Sequence, residues 1–185
     1  MINDYENTTP TTSDATFDST TASNDDVIST LNGLIETCKD GQNGFQEAAE
    51  GVERSDLKSL FYEFSQQRAQ FAGELQSLVQ SLGGDPENTG SMAAALHRGW
   101  INIKSAVTGK DEAAILNECE RGEDSAKDTY KDALKQSLPA NIMETIQTQY
   151  VAVQSAHDRV KALRNAANSD TGDDTGRSNT ASTSY

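Results

Sequence analysis

Four long segments of this chain carry apolar residues at alternating intervals of three and four positions, which is the spacing of an amphipathic helix. No segment sustains the period-two alternation of a half-buried strand. We therefore predict an all-α chain whose apolar seams cover residues 28–52, 57–82, 116–133 and 143–163. The third seam includes Tyr130, and the fourth includes Met143 and Tyr150.

Capping and stop signals place the ends of these helices. Asn24, followed by Asp25 and Asp26, supplies a cap and negative charge in the first turn. The run Gly83-Gly84-Asp85-Pro86 ends the second helix, and Pro139 suits the first turn of the fourth. The predicted helices are 24–52, 56–82, 111–137 and 139–165.

The connection between the second and third helices is about 25 residues long, which exceeds a simple hairpin loop. Within it, residues 92–107 are predicted to form a short helix that carries His97, Arg98 and Trp100. Two tightly joined helix pairs linked by one long crossover predict an antiparallel four-helix bundle with a single crossover.

The two ends of the chain differ in composition from its middle. Residues 1–24 and 166–185 are rich in Ser, Thr, Asn and Asp and contain few apolar residues. Segments of this kind cannot bury enough surface to offset the entropy cost of ordering. We predict two disordered tails that flank a bundle spanning residues 25–165.

The charge pattern argues against two classes of partner. The chain has a net charge of −14 and no clustered basic stripe, so we predict no nucleic-acid partner. No apolar run approaches the roughly 18 residues that span a bilayer, so we predict no membrane association. The N-terminus lacks the pattern of a secretory signal, and we interpret the protein as cytoplasmic.

Each predicted helix carries one polar residue on its apolar seam: Gln42, Arg68, Glu123 and His157. Burying such groups costs several kcal/mol unless they pair with one another. We therefore predict one buried polar layer in which Arg68 contacts Glu123. The alternative is that Arg68 reaches past the seam to a surface carboxylate.

Two stretches repeat the pattern C-x-x-G-[Q/E], at residues 38–42 and 119–123. Gly41 and Gly122 each precede a polar seam residue, although a glycine inside a helix costs about 1 kcal/mol relative to alanine. They indicate either a close approach of two helices or space beside a buried site. Cys38 and Cys119 are interpreted as reduced thiols in the core rather than as a disulfide.

Together with these repeats, several motifs resemble those of the ferritin-like superfamily, and more closely a family of uncharacterised bacterial four-helix-bundle proteins within it. The resemblance covers residues 25–165. The motifs that carry it lie at residues 31–35, 39–41, 83–86, 97–100 and 119–124.

The resemblance implies a position for a dimetal site but not its ligands. In di-iron members, the first and third helices each give a Glu, and the second and fourth each give Glu-x-x-His. Here most of the matching positions hold amides, and only Glu123 and His157 keep the expected ligand types. With Arg68, the predicted polar layer comprises Gln42, Gln67, Arg68, Gln70, Glu123, Gln154 and His157.

We accordingly predict a non-catalytic ferritin-like bundle with a degenerate metal site, no catalytic residues and no cofactor. Its role would be structural or interactive, and the resemblance implies a link to stress physiology.

Two other interpretations remain open. One is an oxidoreductase or metal-storage protein that binds iron or manganese through Glu123, His157 and a nearby carboxylate, for which Asp40, Glu47 and Glu74 are candidates. The other is a homo-oligomer or protein partner that docks on the crossover helix around Trp100.

Overall fold

The computed structural model describes residues 22–86, 100, 102–109 and 111–173, with side chains described up to residue 169. This part of the chain is helical and contains no strand, which confirms the all-α prediction. Its five helices are α1 (Asn24–Gly51), α2 (Ser55–Ser81), α3 (Ile103–Thr108), α4 (Glu112–Ala133) and α5 (Ala140–Asp173).

Side-chain caps and one glycine define the ends of the long helices. Ser23 Oγ accepts a hydrogen bond from the Asp26 amide at the start of α1, and the Asp111 carboxylate caps α4. Beyond α2, Gly83 adopts a φ of 78°, a left-handed conformation that L side chains rarely adopt. The predicted stop at this position is therefore a glycine-dependent turn.

Two helices end at positions other than those predicted. α4 ends at Ala133 rather than near residue 137, because Lys135 and Gln136 donate to carbonyls only three residues back and tighten the chain before Pro139. α5 continues past residue 165 to Asp173, and Ala167 packs against the core. Residues 166–173, predicted as part of a disordered tail, are thus helical.

The helix predicted within the crossover is only partly described. Its described portion is the short helix Ile103–Thr108. Residues 92–99, including His97 and Arg98, lie outside the described residues, as do residues 1–21 and 174–185.

The core consists of two apolar clusters at opposite ends of the long helices. The first combines the beginnings of α1 and α5 with the later parts of α2 and α4, and the second combines the opposite ends. On each long helix, one residue is the last member of one cluster and a later residue is the first member of the other. These pairs are Cys38 and Phe45 on α1, Phe64 and Phe71 on α2, Cys119 and Ala126 on α4, and Val153 and Ala156 on α5. Arg68 and Glu123, both buried, lie at this division.

The buried face of α5 is rotated from the predicted seam. The sequence analysis assigned Met143 and Tyr150 to the core face, but the structure buries Ile142 and Gln149 there. The predicted and the observed rows of residues both have the three-and-four spacing, because their corresponding members lie at most one position apart in the sequence. The neighbouring helices decide between them.

Two glycines form a slot for the crossover. A Cβ built on Gly44 would lie 2.1 Å from Trp100 Cε3, and one built on Gly122 would lie 2.3 Å from Trp100 Cε2. The indole ring also packs edge-on against Phe45, with 5.0 Å between ring centroids. The Trp100 side chain, predicted to face a partner, thus packs on its own bundle.

Candidate functional site

An ion pair lies at the division between the two core clusters. Arg68 Nη2 on α2 donates to Glu123 Oε2 on α4 at 2.6 Å, and each side chain is only 1% exposed. Arg68 Nη1 donates to Gln67 Oε1 at 2.6 Å. The predicted contact between Arg68 and Glu123 is therefore present, and the surface alternative is wrong.

The surroundings of this pair are apolar. The Arg68 guanidinium carbon lies 5.9 Å from the Phe45 ring centroid and 5.8 Å from that of Phe71, within cation–π range. Its side chain passes Gly41, where an added Cβ would lie 3.3 Å from Arg68 Cγ. Among the described residues, Arg68 Nε and Glu123 Oε1 have no hydrogen-bond partner. Both charges are thus removed from water, with only part of their polar atoms paired.

Burial dominates the electrostatics of Glu123. Desolvation raises the pKa of its carboxyl group, and the nearby Arg68 guanidinium only partly opposes this effect. The ionised pair is consequently costly to hold in the core, as is expected when desolvation outweighs Coulomb attraction.

A second polar network crosses the first cluster and joins all four long helices. Tyr130 Oη on α4 donates to Gln149 Oε1 on α5 at 2.8 Å and lies 3.2 Å from Cys38 Sγ on α1. Gln149 Nε2 donates to Glu74 Oε2 on α2 at 2.8 Å. Because the Tyr130 proton is directed at Gln149, the Cys38 thiol is the donor to Tyr130.

This network was not predicted from the sequence. Tyr130 was predicted as an apolar seam residue, and Tyr150, rather than Gln149, was predicted on the buried face of α5. The available signal was the spacing of Ile142, Ile146, Gln149 and Val153, which also runs in steps of four and three.

We expect both thiols to be inert in the folded protein. Burial raises the pKa of Cys38 to about 11 and also raises that of Cys119, so the reactive thiolate is scarce at mildly alkaline pH. Ellman's reagent should label neither thiol of the native chain and both in concentrated guanidinium chloride. Rapid labelling of either thiol under native conditions would contradict this burial.

His157 belongs to a separate polar cluster between α4 and α5. Its Nε2 lies 2.9 Å from Asp124 Oδ1, and its Nδ1 lies 2.9 Å from Asp158 Oδ1. One ligand atom each from Glu120, Asp124 and His157 lie within 4.8 Å of one another, a grouping that could hold a metal ion. The sequence analysis singled out His157 but neither Glu120 nor Asp124 as a ligand.

The predicted layer of seven polar residues is not a single buried layer. Arg68, Glu123 and His157 are buried, and Gln42 and Gln67 are partly buried. Gln70 and Gln154 are exposed, so their inclusion was wrong.

Helix geometry explains these two errors. Gln70 lies two positions after Arg68, which places it on the opposite side of α2, where it donates to Glu74 Oε1 at 2.9 Å. On α5, Val153 and Ala156 occupy the core face, and Gln154 therefore points away from it.

The family comparison covers most of this structure. Residues 26–136 match the family described as "Domain of unknown function (DUF2383)". The chain belongs to this family. No curated protein matches the sequence. The matched region contains α1 to α4 with Arg68 and Glu123, whereas His157 lies beyond it on α5.

In this DUF2383 protein one of the surface grooves formed by the described residues does not include the ion pair. The groove measures about 460 Å³ and lies between α3 and α4, lined by Asn102, Ser105, Ala106, Gly109, Asp111, Ala114, Asn117 and Glu118. None of the polar-layer residues lines it. Among the described helices, none is both long enough and apolar enough to cross a membrane.

Proposed function

We propose that this DUF2383 protein is a non-catalytic ferritin-like bundle in which a guanidinium occupies the place of the metal ions. The observation that carries the proposal is the buried ion pair between Arg68 and Glu123. Glu123 is the one carboxylate that the ferritin-like resemblance leaves at an expected ligand position. Its Oε2 atom is committed to Arg68 rather than available to a cation.

The distribution of the core supports a ferritin-like topology. Each apolar cluster joins the beginnings of α1 and α5 to the later parts of α2 and α4, or the reverse. Neighbouring helices that run in opposite directions produce this pairing of ends, and one lengthwise crossover between α2 and α4 satisfies it.

The charges at the centre agree with the loss of a dimetal site. Four carboxylates offset two divalent cations in the di-iron members, whereas here one carboxylate is offset by one guanidinium. The nearby Gln67 offers a neutral amide oxygen, which already accepts from Arg68. A cation at this position would also face repulsion from Arg68 through a low-dielectric interior.

The proposed role is that of a structural or interaction protein. We propose that residues 25–165 form the bundle, with the last helix extending beyond it to Asp173, and that the protein acts in the cytoplasm, with a role in stress physiology. A homo-oligomer or a protein partner is part of this proposal, and nucleic acids and membranes are not. The acidic composition, with a net charge of −14, supports solubility and disfavours polyanionic partners.

The alternative function, an iron- or manganese-dependent oxidoreductase or storage protein, requires Glu123 and His157 to share an ion. His157 instead contacts Asp124 and Asp158, while Glu123 pairs with Arg68. Two of the three suggested third ligands have other partners, since Glu47 Oε1 lies 3.5 Å from Lys104 Nζ and Glu74 Oε2 accepts from Gln149. These contacts favour the non-catalytic proposal.

Full-length protein without a histidine tag, expressed in medium supplemented with iron and manganese, should contain neither metal in stoichiometric amount. It should also fail to accelerate the oxidation of Fe(II) by dioxygen, because the dimetal position keeps a single carboxylate, Glu123, and that carboxylate pairs with Arg68. Elemental analysis and oxygen consumption check these expectations. About one iron or manganese per chain that disappears in Glu123→Ala would refute the proposal and favour the oxidoreductase.

A further inference from the structure

The His157 cluster has an arrangement that the proposed function does not use. Glu120 and Asp124 are four positions apart on α4 and therefore share one face of that helix. His157 reaches this face from α5, with Nε2 directed at Asp124. Two carboxylates and one imidazole from adjacent helices thus converge on one point.

The imidazole is oriented as a metal-binding histidine usually is. Asp158 Oδ1 lies 2.9 Å from Nδ1, so this carboxylate can accept the Nδ1 proton. The other nitrogen, Nε2, faces Asp124 Oδ1 at 2.9 Å, and a metal that binds Nε2 releases to solvent the proton shared in this contact. Carboxylate partners of this kind fix the tautomer and ring orientation of histidines that bind metals.

A positive group of the protein already lies against two members of the cluster, His157 and Asp124. Lys127 Nζ lies 3.2 Å from His157 Nε2, 3.3 Å from Nδ1 and 3.7 Å from Asp124 Oδ1. The Lys127 side chain is only 16% exposed. Arg164 Nη1 likewise lies 2.7 Å from Glu120 Oε2. The cluster thus already holds two cationic side chains of the protein, Lys127 beside His157 and Asp124 and Arg164 beside Glu120.

We propose that Glu120, Asp124 and His157 form a binding site for one divalent transition-metal ion, with Zn²⁺ as the favoured ion, and that Lys127 competes with the metal for this site. A mixed set of one nitrogen and two carboxylate oxygens suits Zn²⁺, whereas Mg²⁺ and Ca²⁺ prefer oxygen ligands alone. The site shares His157 with the predicted dimetal position but uses neither Arg68 nor Glu123.

Binding would exchange one cation for another. The metal takes the Nε2 lone pair and one oxygen from each carboxylate, and the Lys127 ammonium moves into solvent. A tetrahedral zinc ion separates two such ligand atoms by about 3.3 Å, close to the 2.9 Å between His157 Nε2 and Asp124 Oδ1. Asp124 is 58% exposed, which gives an ion access from solvent.

The test is a titration of Zn²⁺ into metal-free, full-length protein without a histidine tag, followed by calorimetry. Co²⁺ serves as a spectroscopic probe, because its visible absorption bands report the ligand set. Removing the competing ammonium should strengthen binding, so Lys127→Gln is expected to bind Zn²⁺ at least about tenfold more tightly than the wild type. The stoichiometry should be one ion per chain.

Ligand removal and a matched control identify the site. Asp124→Asn and His157→Gln, each placed in the Lys127→Gln background, should weaken Zn²⁺ binding by at least about tenfold. Asp128→Asn removes a 78% exposed carboxylate one turn further along α4 and should leave the affinity unchanged. Circular dichroism establishes that each variant is folded before titration.

Two results would overturn the proposal. One is equal Zn²⁺ affinity in the wild type and in Lys127→Gln, since the ammonium would then not compete. The other is binding that Asp124→Asn and Asp128→Asn reduce to the same extent, since acidic surface charge rather than the cluster would then explain it. Loss of metal in Glu123→Ala alone would instead concern the dimetal position and the proposed function.

Discussion

Replacement of Glu123 by alanine is expected to lower the free energy of unfolding by roughly 3–5 kcal/mol. The reason is that the variant leaves the Arg68 guanidinium buried between Phe45 and Phe71 without its carboxylate partner. Neither repacking nor water can readily supply the missing negative charge. Denaturant titration followed by circular dichroism measures the loss.

The double variant Arg68→Met with Glu123→Leu should be far less damaged than Glu123→Ala, within about 1 kcal/mol of the wild type or more stable than it. Burial already raises the pKa of Glu123 against the opposing effect of Arg68, which indicates that desolvation is the larger contribution. Asp128→Ala, an exposed carboxylate change on the same helix, is the control and should leave the midpoint unchanged. A double variant as unstable as the single one would contradict the account of this pair.

Gly122→Ala should lower the free energy of unfolding by about 2–3 kcal/mol, the upper part of the range for overpacked cores. Its new Cβ would lie 2.3 Å from Trp100 Cε2, so the indole ring must leave its slot between α1 and α4. Trp100 is the only tryptophan of the chain, and its fluorescence therefore reports this displacement directly. We expect a red-shifted emission together with the lower denaturation midpoint.

Gly73→Ala is the matched control for the slot. Gly73 is an exposed glycine within α2, and a Cβ added there meets no atom within 4 Å. Alanine should raise the free energy of unfolding by about 1 kcal/mol through its higher helix propensity and leave the Trp100 emission unchanged. Equal effects of Gly73→Ala and Gly122→Ala would show that Gly122 does not accommodate the tryptophan.

The structure also explains why glycines occur inside these helices. From the sequence, Gly41 and Gly122 indicated either close helix packing or space beside a polar site. The structure gives each a different neighbour, the Arg68 side chain at Gly41 and the Trp100 ring at Gly122. The sequence analysis did not single out Gly44, the other wall of the slot, because a long crossover separates it from Trp100.

Some of the buried polar residues were predictable from the sequence, and others were not. Arg68 and Glu123 were predictable as partners because each interrupts an otherwise apolar seam, and an unpaired buried charge is too costly to retain. Gln70 and Gln154 were assigned to the layer from a family spacing, although the stripes that are buried on their helices exclude them. The Glu-x-x-His spacing of the di-iron proteins therefore predicted these two residues wrongly, because the buried faces of α2 and α5 do not include them.

The sequence by itself determined the helical class, the approximate extent of the long helices and the existence of a buried charge pair. These features depend on periodicity, capping and the cost of burying charge, all of which are local or pairwise. Only the tertiary structure decided that Gln149 rather than Tyr150 faces the core, that Trp100 lies on Gly44 and Gly122, and that His157 joins Glu120 and Asp124. The physical reason is that the alternative apolar stripes of a helix differ by a rotation smaller than the roughly 100° between consecutive residues. The packing of neighbouring helices selects among rotations that the sequence pattern leaves nearly equivalent.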